Sequence, residues 1–312
     1  MPINIAIART PKFMDEVFKV RHKVFSEEEG LLDATEDKRL IDRFDAFPNS
    51  KNLVVTIDDE VIGSLRMTID SEVGLPADEY YNFREHIPQN SLIMHCGMFC
   101  VTKEHRNPRI TADLMLMSGY YAKSNSVTHV VAPINPQIAK LLQRIGFVCV
   151  GDEFIEPSIG NPMLPLIMDV AKLNDFFLGF VKKNQLQDFL GEYERTFYKK
   201  GEYVIRAGEK GNYAYLIIDG SAAVNLPKSS EKIAELKEGE VFGELALLTD
   251  EVRSADIVAS TDLQVMTLSK PIFVKYFYNQ PAQAQQLLKL MGKRTQVLIQ
   301  QLEQMKYEAI EE

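Results

Sequence analysis

Hydrophobic and polar positions alternate with two different periods in the first part of the chain. Four apolar side chains recur at steps of three and four residues: Phe13, Val17, Val20 and Val24. This spacing predicts an amphipathic helix, and Thr10 followed by Pro11 is a suitable start for it. Lys51–Ile57 and Val61–Ile69 are rich in β-branched residues, so we expect two strands joined by a turn at Asp58–Asp59.

Strand-like and helix-like segments continue to alternate up to about residue 170. Strands are predicted at Ser91–Val101, His129–Ala132, Phe147–Val150 and Leu164–Val170. One helix is predicted from about Thr111 to Ser124. A second begins after Asn135, with Pro136 at its first position, and ends at Gly146. This order of elements predicts a mixed sheet with flanking helices, the first half of an α+β protein.

The pattern changes near residue 175. Short apolar segments separated by glycines follow, which predicts an all-β barrel or roll. The end of the chain, Pro281–Ala309, has apolar residues at heptad spacing around a polar Thr295. We therefore expect domains at residues 1–175 and 176–280 and a C-terminal helix at 281–312. Its heptad seam predicts a homodimer, although the same face could pack on its own domain.

Length, charge and cysteine content narrow the class of protein. A chain of 312 residues is long enough for two domains, and its net charge of −9 argues against nucleic acid or an anionic membrane as partner. The three cysteines, Cys96, Cys100 and Cys149, form no C-x-x-C pair, so neither disulfides nor a zinc site is expected. Residues 1–8 lack the features of a signal peptide. We expect a cytoplasmic protein without a bound metal.

The segment Phe242-Gly243-Glu244-Leu245-Ala246, followed by Arg253-Ser254, carries the clearest chemistry in the chain. A glycine lets the backbone approach a ligand closely, and a following helical turn directs N–H groups at an anion. Glu244 can accept a hydrogen bond from a ribose hydroxyl, and Arg253 can pair with a phosphate. One carboxylate and one guanidinium at this spacing favour a cyclic nucleotide; a structural ion pair on an empty roll is the alternative.

Residues 190–280 resemble the family of cyclic-nucleotide-binding domains, whose members include that of the bacterial catabolite activator protein. The resemblance implies that Glu244 binds the ribose and Arg253 and Ser254 the cyclic phosphate, with cAMP as a regulatory ligand. It also implies a contact to the base from the C-terminal helix, where Leu298 stands. No helix-turn-helix follows that helix, so any output of nucleotide binding is expected in residues 1–175.

A basic turn follows the predicted strand that ends at Val101. Arg106, Arg109 and Thr111 lie between this strand and the next helix. A strand, a basic turn and a helix amino terminus together can hold a pyrophosphate. The alternative is that these charges are solvated, as is expected of Glu27–Glu29.

Residues 1–170 resemble the GNAT acyltransferases. The positions that carry the resemblance are Asn135, Ala139, Leu142, Gly146 and Phe147. Within this superfamily, the chain is similar to autoinducer synthases and N-acyl amino acid synthases. That similarity implies an amine-donor cleft shaped by five residues: Arg21, Phe25, Asp42, Asp45 and Arg66. It also implies that Arg106, Arg109 and Thr111 hold the phosphates of an acyl thioester, either acyl-coenzyme A or an acyl carrier protein.

The chain departs from this family at catalytic positions. Leu142 stands where a tyrosine often protonates the leaving thiolate, and His95 and Met98 stand where autoinducer synthases carry Glu and Arg. His95 is the candidate general base, with a core histidine as the alternative; His22 and His86 are expected at the surface. We expect a cyclic-nucleotide-regulated N-acyltransferase acting on an amino acid or a protein lysine. The alternative is a cAMP sensor whose first domain is inactive and binds a partner or an acyl ligand.

Overall fold

The structure of the chain is a computed structural model. It describes residues 2–173, 193–227, 232–249 and 251–279, with single positions 178, 179, 182, 285, 288, 289 and 292. Two compact units are present, the first built mainly from Ile5–Asp175 and the second mainly from Glu192–Glu312. In the part of the chain described, no helix has the length and apolar character needed to cross a bilayer.

The first unit is a mixed sheet in the order β1-β2-β3-β4-β5-β8-β6, with β7 paired to β8. Its strands are β1 (Ile3–Ile7), β2 (Ser50–Ile57), β3 (Glu60–Ile69), β4 (Ile93–Val101), β5 (His129–Ile134), β6 (Phe147–Cys149), β7 (Phe154–Glu156) and β8 (Asn161–Asp169). The β4–β5 pair is parallel, whereas β2–β3, β3–β4, β5–β8 and β6–β8 are antiparallel. The predicted hairpin at Asp58–Asp59 is confirmed, with both residues at positive φ.

Among the described residues, three α-helices accompany this sheet: α1 (Pro11–His22), α2 (Pro108–Ser124) and α3 (Pro136–Arg144). The predicted cap at Thr10 is confirmed, because its Oγ1 accepts the Phe13 N–H at 3.2 Å. The cap at Asn135 is confirmed as well. Helix α2 begins earlier than predicted, at Pro108, because the Asn107 side chain accepts the Arg109 N–H at 2.8 Å and so provides a further cap.

Strands β4 and β5 part in the middle of the sheet. Their pairing ends at His95–Val131, although β4 continues to Val101 and β5 to Ile134. The β3–β4 register shifts between Ser64 and Arg66, and Met98 on β4 has a φ of +48°. Such an irregularity bends a strand away from its neighbour. It leaves a wedge between the carboxyl ends of the two strands, which we call the β4–β5 wedge.

The second unit is a β-roll made of two sheets, in the orders β14-β11-β16-β9 and β10-β15-β12-β13. Its strands are β9 (Glu194–Tyr198), β10 (Tyr203–Ile205), β11 (Tyr213–Asp219), β12 (Ala222–Asn225), β13 (Lys232–Leu236), β14 (Val241–Phe242), β15 (Asp256–Ala259) and β16 (Leu263–Ser269). The short helix α4 (Leu245–Thr249) follows β14, and α5 (Lys270–Asn279) follows β16.

Both sheets of the roll contribute to one apolar core. Ile217, Phe242 and Val265 come from the first sheet, and Leu236 and Ile257 from the second. The α+β class, with a mixed sheet followed by a roll, is therefore confirmed. The predicted C-terminal helix at 281–312 and its dimer seam lie outside the described residues, apart from single positions.

Candidate functional site

The main chain of the roll holds the Arg253 guanidinium in place. Its Nη2 donates to the Tyr213 carbonyl oxygen at 2.7 Å, and its Nη1 donates to the Gly243 carbonyl oxygen. The backbone of Arg253 is fixed as well, because its N–H donates to the Glu209 carbonyl and its carbonyl accepts the Gly208 N–H, each at 2.9 Å. The side chain is thus positioned before any ligand arrives.

Two glycines make room for this guanidinium. A Cβ atom built on Gly243 would lie 2.8 Å from Arg253 Nη1 and 3.0 Å from Ile205 Cδ1, and Gly243 has a φ of +76°. A Cβ atom on Gly211 would lie 2.8 Å from Arg253 Cζ. Both distances are too short for a side chain, so the glycine positions form the slot that the arginine occupies.

The remaining residues of the predicted cassette surround the arginine. Phe242 is fully buried and stacks on Tyr215, with ring centroids 5.0 Å apart. Glu244 is buried at the start of α4. Burial lowers the pKa of the Arg253 guanidinium from its ordinary value, while the nearby Tyr215 and Glu244 act in the opposite direction.

The predicted nucleotide residues therefore divide into three groups. The structure brings five of them together in the roll: Phe242, Gly243, Glu244, Ala246 and Arg253. Leu245 and Ser254 are exposed beside them. Leu298 lies outside the described residues.

A buried ion-pair cluster lies in the first unit. Arg21 Nη1 donates to both carboxylate oxygens of Asp45 at 2.9 Å, and its Nη2 donates to the Asn52 amide oxygen. Arg66 Nη1 donates to Asp42 and lies 3.4 Å from Asp45 Oδ2. The Arg21 side chain is 0% exposed and that of Asp45 1%, so this pair is fully desolvated. We call these residues the arginine–aspartate cluster.

The local sequence explains why both aspartates face the arginines. Asp42 caps a 3₁₀ turn at Arg43–Ala46, because its carboxylate accepts the Phe44 N–H at 2.8 Å. The Asp45 carboxylate reaches back to accept the Asp42 N–H at 3.1 Å. The two carboxylates thereby meet on one side of the turn. Asp42 is 32% exposed, so it is the carboxylate of this pair that a ligand can reach.

Two members of this cluster were not predicted from the sequence. Phe44 is buried with its ring centroid 5.6 Å from the Arg66 guanidinium, and Asn52 binds Arg21. The spacing Asp-x-Phe-Asp was a signal for Phe44, since the turn that orients both aspartates also orients the residue between them. The structure places the predicted Phe25 against the apolar cluster of α1, because Phe25 lies in the π-helical turn Lys23–Glu28 that continues the apolar stripe.

His95 lies at the base of the β4–β5 wedge. It is 2% exposed, and neither ring nitrogen has a hydrogen-bond partner. Burial, with a smaller contribution from the Arg66 charge, lowers the pKa of His95 to about 3. The Nε atoms of Arg21 and Arg66 also lack partners. Unsatisfied buried nitrogens are rare in folded proteins, and here they mark a place where a polar group can bind.

The other two singled-out histidines differ in position. His86 is exposed, as expected. The expectation for His22 was wrong: it is 2% exposed, and its Nε2 accepts the Thr35 N–H at 3.1 Å. The loop after α1 folds over this ring, which a sequence pattern does not reveal.

The predicted phosphate-binding residues lie between β4 and α2. Arg106 is half-exposed, and its Nε donates to the Val101 carbonyl at 3.0 Å. The side chain of Arg109 is 49% exposed, 3.9 Å from Asp113 Oδ2, and Thr111 is buried in the first turn of α2. The structure therefore places all three at the amino terminus of one helix, next to the β4–β5 wedge.

The cysteines do not supply a nucleophile to this region. Cys96 and Cys100 are buried on β4, and burial raises the pKa of the Cys96 thiol to about 12 and that of Cys100 above its ordinary value. Both remain thiols at neutral pH. Within the described ranges no three His, Cys, Asp or Glu side chains are grouped in a way that could hold a metal ion.

Two family models match the two units. Residues 16–169 match "N-acyl amino acid synthase FeeM", and residues 195–279 match "Cyclic nucleotide-binding domain". The chain thus combines an N-terminal FeeM-like domain with a C-terminal cyclic nucleotide-binding domain.

Curated relatives match about a third of this chain or less. The cAMP-dependent protein kinase regulatory subunit of Yarrowia lipolytica is 39% identical over 104 residues, 30% of this chain and 28% of that protein. The cGMP-dependent protein kinase egl-4 of Caenorhabditis briggsae is 39% identical over 87 residues, 26% of this chain and 12% of that protein. The chain thus spans a small part of either relative.

Solved structures resemble each unit in fold. A structure of FeeM, an N-acyl amino acid synthase from uncultured soil microbes, covers 55% of this chain and 94% of its own, with 18% identity and a TM-score of 0.47. A cyclic nucleotide-binding domain from Methylobacillus flagellatus covers 39% of this chain and 77% of its own, with 23% identity and a TM-score of 0.35.

Proposed function

We propose that the protein transfers an acyl group from a thioester, either acyl-coenzyme A or an acyl carrier protein, to an amine. We further propose that cAMP, bound in the roll, regulates this transfer. The observation that carries the proposal is the β4–β5 wedge, with the arginine–aspartate cluster and an unpartnered His95 beside it. A wedge of this kind exposes main-chain N–H groups near Phe99–Val101 to a thioester carbonyl, where they can stabilise a developing oxyanion.

The amine enters on the side of the arginine–aspartate cluster. The Asp42 carboxylate is the accessible acceptor there, and it can hold an ammonium group of an amino acid or a protein lysine. The ammonium group first releases one proton to solvent. The resulting neutral amine attacks the carbonyl carbon, a C–N bond forms, and the C–S bond breaks. The nitrogen gives up one proton and the sulfur leaves as a thiol, so atoms and charge balance. His95, neutral at physiological pH, supplies a hydrogen-bond acceptor that orients the amine.

The nucleotide binds by its sugar and its phosphate. The cyclic phosphate lies on Arg253, where a charge-assisted contact strengthens in the partly desolvated slot, and the ribose hydroxyl lies on Glu244. Regulation requires only that the nucleotide bind two arrangements of the protein with different affinity. The sequence predicts a domain boundary near residue 175. Such a boundary would separate a catalytic domain from a sensor domain within one chain, as this regulation requires.

A second candidate function is a cAMP sensor with an inactive first domain. Two observations favour it. Leu142 is 0% exposed at the position where a tyrosine serves as the acid in the similar acyltransferases, and the low pKa of His95 makes this histidine a weak base. In this alternative the wedge binds an acyl ligand or a partner without turnover.

Release of free thiol distinguishes the two functions. The full chain is incubated with acyl-coenzyme A and acyl carrier protein thioesters of several chain lengths, each with amino acids or a lysine peptide, with and without cAMP. An acyltransferase releases thiol only when the amine is present, and the rate changes with cAMP. Binding of cAMP without thiol release from any pair would contradict transfer and support the sensor.

A further inference from the structure

The acidic run Glu27–Glu29 is not a uniformly solvated face. Glu29 Oε1 lies 2.6 Å from Arg106 Nη1, and Glu28 Oε2 lies 3.6 Å from Arg106 Nη2. With its Nε on the Val101 carbonyl, the Arg106 guanidinium is engaged by protein groups on all three nitrogens. The arginine predicted to hold donor phosphate is therefore already paired with carboxylates.

Within this acidic run, Glu28 also holds the turn between β4 and α2. The Glu28 side chain is only 16% exposed, and it accepts the Lys103 N–H at 2.8 Å. Lys23 Nζ lies 3.6 Å from Glu104 Oε1. Glu28 thus has a structural role in positioning this turn, whereas the Glu29 side chain contacts only the guanidinium among the contacts described.

The pair between Glu29 and Arg106 is easily exchanged. Their side chains are 37% and 43% exposed, and ion pairs at such positions are weak because water and salt screen them. A phosphate group binds a guanidinium in the same bidentate manner as a carboxylate. An anionic donor can therefore displace Glu29, but only in competition with its negative charge.

We propose that Glu29 is a specificity-determining residue, whose carboxylate competes with donor phosphate for Arg106. Binding of a thioester that carries several phosphate groups is weakened by this competition, while binding of a thioester without phosphate is not. This inference rests on the proposed acyl transfer. Glu27 is the matched control, since its carboxylate lies 3.8 Å from Lys38 Nζ and 3.5 Å from His22 Nδ1 and is not paired with Arg106.

Calorimetry on the full chain tests the competition without requiring turnover. The ligands are coenzyme A and pantetheine, which share the thiol arm; coenzyme A carries in addition the phosphorylated adenosine. The expected result is that Glu29→Gln binds coenzyme A about fivefold more tightly than the wild type, because an exposed ion pair contributes up to about 1 kcal/mol. The affinity for pantetheine should be unchanged. Glu27→Gln should alter neither affinity. In the double variant Glu29→Gln/Arg106→Gln the gain in affinity for coenzyme A should disappear.

Two results would overturn the inference. One is a coenzyme A affinity that is the same in Glu29→Gln as in the wild type, or no binding of coenzyme A by either protein. It would show that the carboxylate does not compete. An equal gain for pantetheine would show a general change in the turn. Failure of the proposed acyl transfer is recognised separately, by the absence of thiol release from a wild-type protein that still binds coenzyme A.

Discussion

Arg253 combines two tasks that are usually separate. Its guanidinium occupies the slot left by the glycines and donates to the carbonyl oxygens of Tyr213 and Gly243. The arginine therefore supports the fold of the cassette and offers a fixed charge to an anion. Such preorganisation lowers the entropic cost of binding.

Replacement of Arg253 tests the nucleotide pocket. Arg253→Ala should weaken cAMP binding at least about thirtyfold, because the loss of one partner of a desolvated charge pair costs roughly 2–5 kcal/mol. Arg253→Lys keeps the charge but lacks the fork that serves two carbonyls and a phosphate, so its affinity should be intermediate. Titration calorimetry measures both variants. Unchanged affinity in Arg253→Ala would refute the assignment.

His95 should give the first unit a pH-dependent stability. Its folded pKa of about 3 lies below the ordinary value of 6.5, so between these values the unfolded chain binds one more proton. The free energy of unfolding should therefore fall as the pH drops from 6.5 towards 3, with a contribution of up to about 1.4 kcal/mol per pH unit. Above pH 6.5 His95 should contribute no slope.

The variant His95→Leu isolates this contribution, because leucine does not titrate and the carboxylates of the protein are unchanged. Urea unfolding at a series of pH values gives the difference between the two proteins. The stability of the wild type relative to the variant should fall as the pH drops from 6.5 towards 3. Parallel curves would show that His95 keeps an ordinary pKa in the folded state.

Individual residues were predictable to different degrees. The pairing of glycine, carboxylate and guanidinium in the cassette follows from local spacing, so Gly243, Glu244 and Arg253 were found together. The burial of His22 and the pairing of Arg106 depend on segments far apart in the chain. A pattern along the sequence carries no information on such tertiary contacts.

At the scale of elements, the arginine–aspartate cluster joins a helix, a 3₁₀ turn and two strands. Arg21 comes from α1, Asp45 from the turn, Asn52 from β2 and Arg66 from β3. A buried pair of this kind is expensive to break on one side, because the other charge remains desolvated. The cluster thus holds the elements around the proposed amine site in fixed positions.

The variant Arg21→Gln should lower the free energy of unfolding by about 3 kcal/mol, because the buried Asp45 charge loses its hydrogen-bonded partner and keeps only Arg66, whose Nη1 lies 3.4 Å away. Arg39→Gln is the matched control, since it removes the exposed pair between Arg39 and Asp15, 2.6 Å apart. This control should leave the stability nearly unchanged. Urea unfolding of both variants provides the comparison. Equal effects would show that burial of the Arg21–Asp45 pair has no energetic consequence.

The elements themselves were largely predictable. Helix starts at Thr10 and Asn135 and the hairpin at Asp58–Asp59 were found because caps and turns are local. The β4–β5 wedge was not, since it depends on the register between strands distant in sequence. The π-helical turn at Lys23–Glu28 was not predicted either, because one extra residue in a helical turn leaves the pattern of apolar positions almost unaltered.

At the scale of the whole molecule, the chain has two compact units. We propose a nucleotide site in one and an acyl-transfer site in the other. The net charge of −9 is unfavourable for a partner as anionic as nucleic acid. The output of nucleotide binding that we propose is the chemistry of the first unit. Regulation then amounts to a coupling free energy between the two sites, which thermodynamics requires to be reciprocal.

This reciprocity offers the most direct test of the account. The affinity of the full chain for cAMP is measured by calorimetry in the absence and presence of a saturating acyl-thioester analogue, and the affinity for the analogue is measured with and without cAMP. The account predicts the same factor in both experiments, of roughly fivefold or more. Affinities for cAMP that are identical with and without the analogue would contradict it.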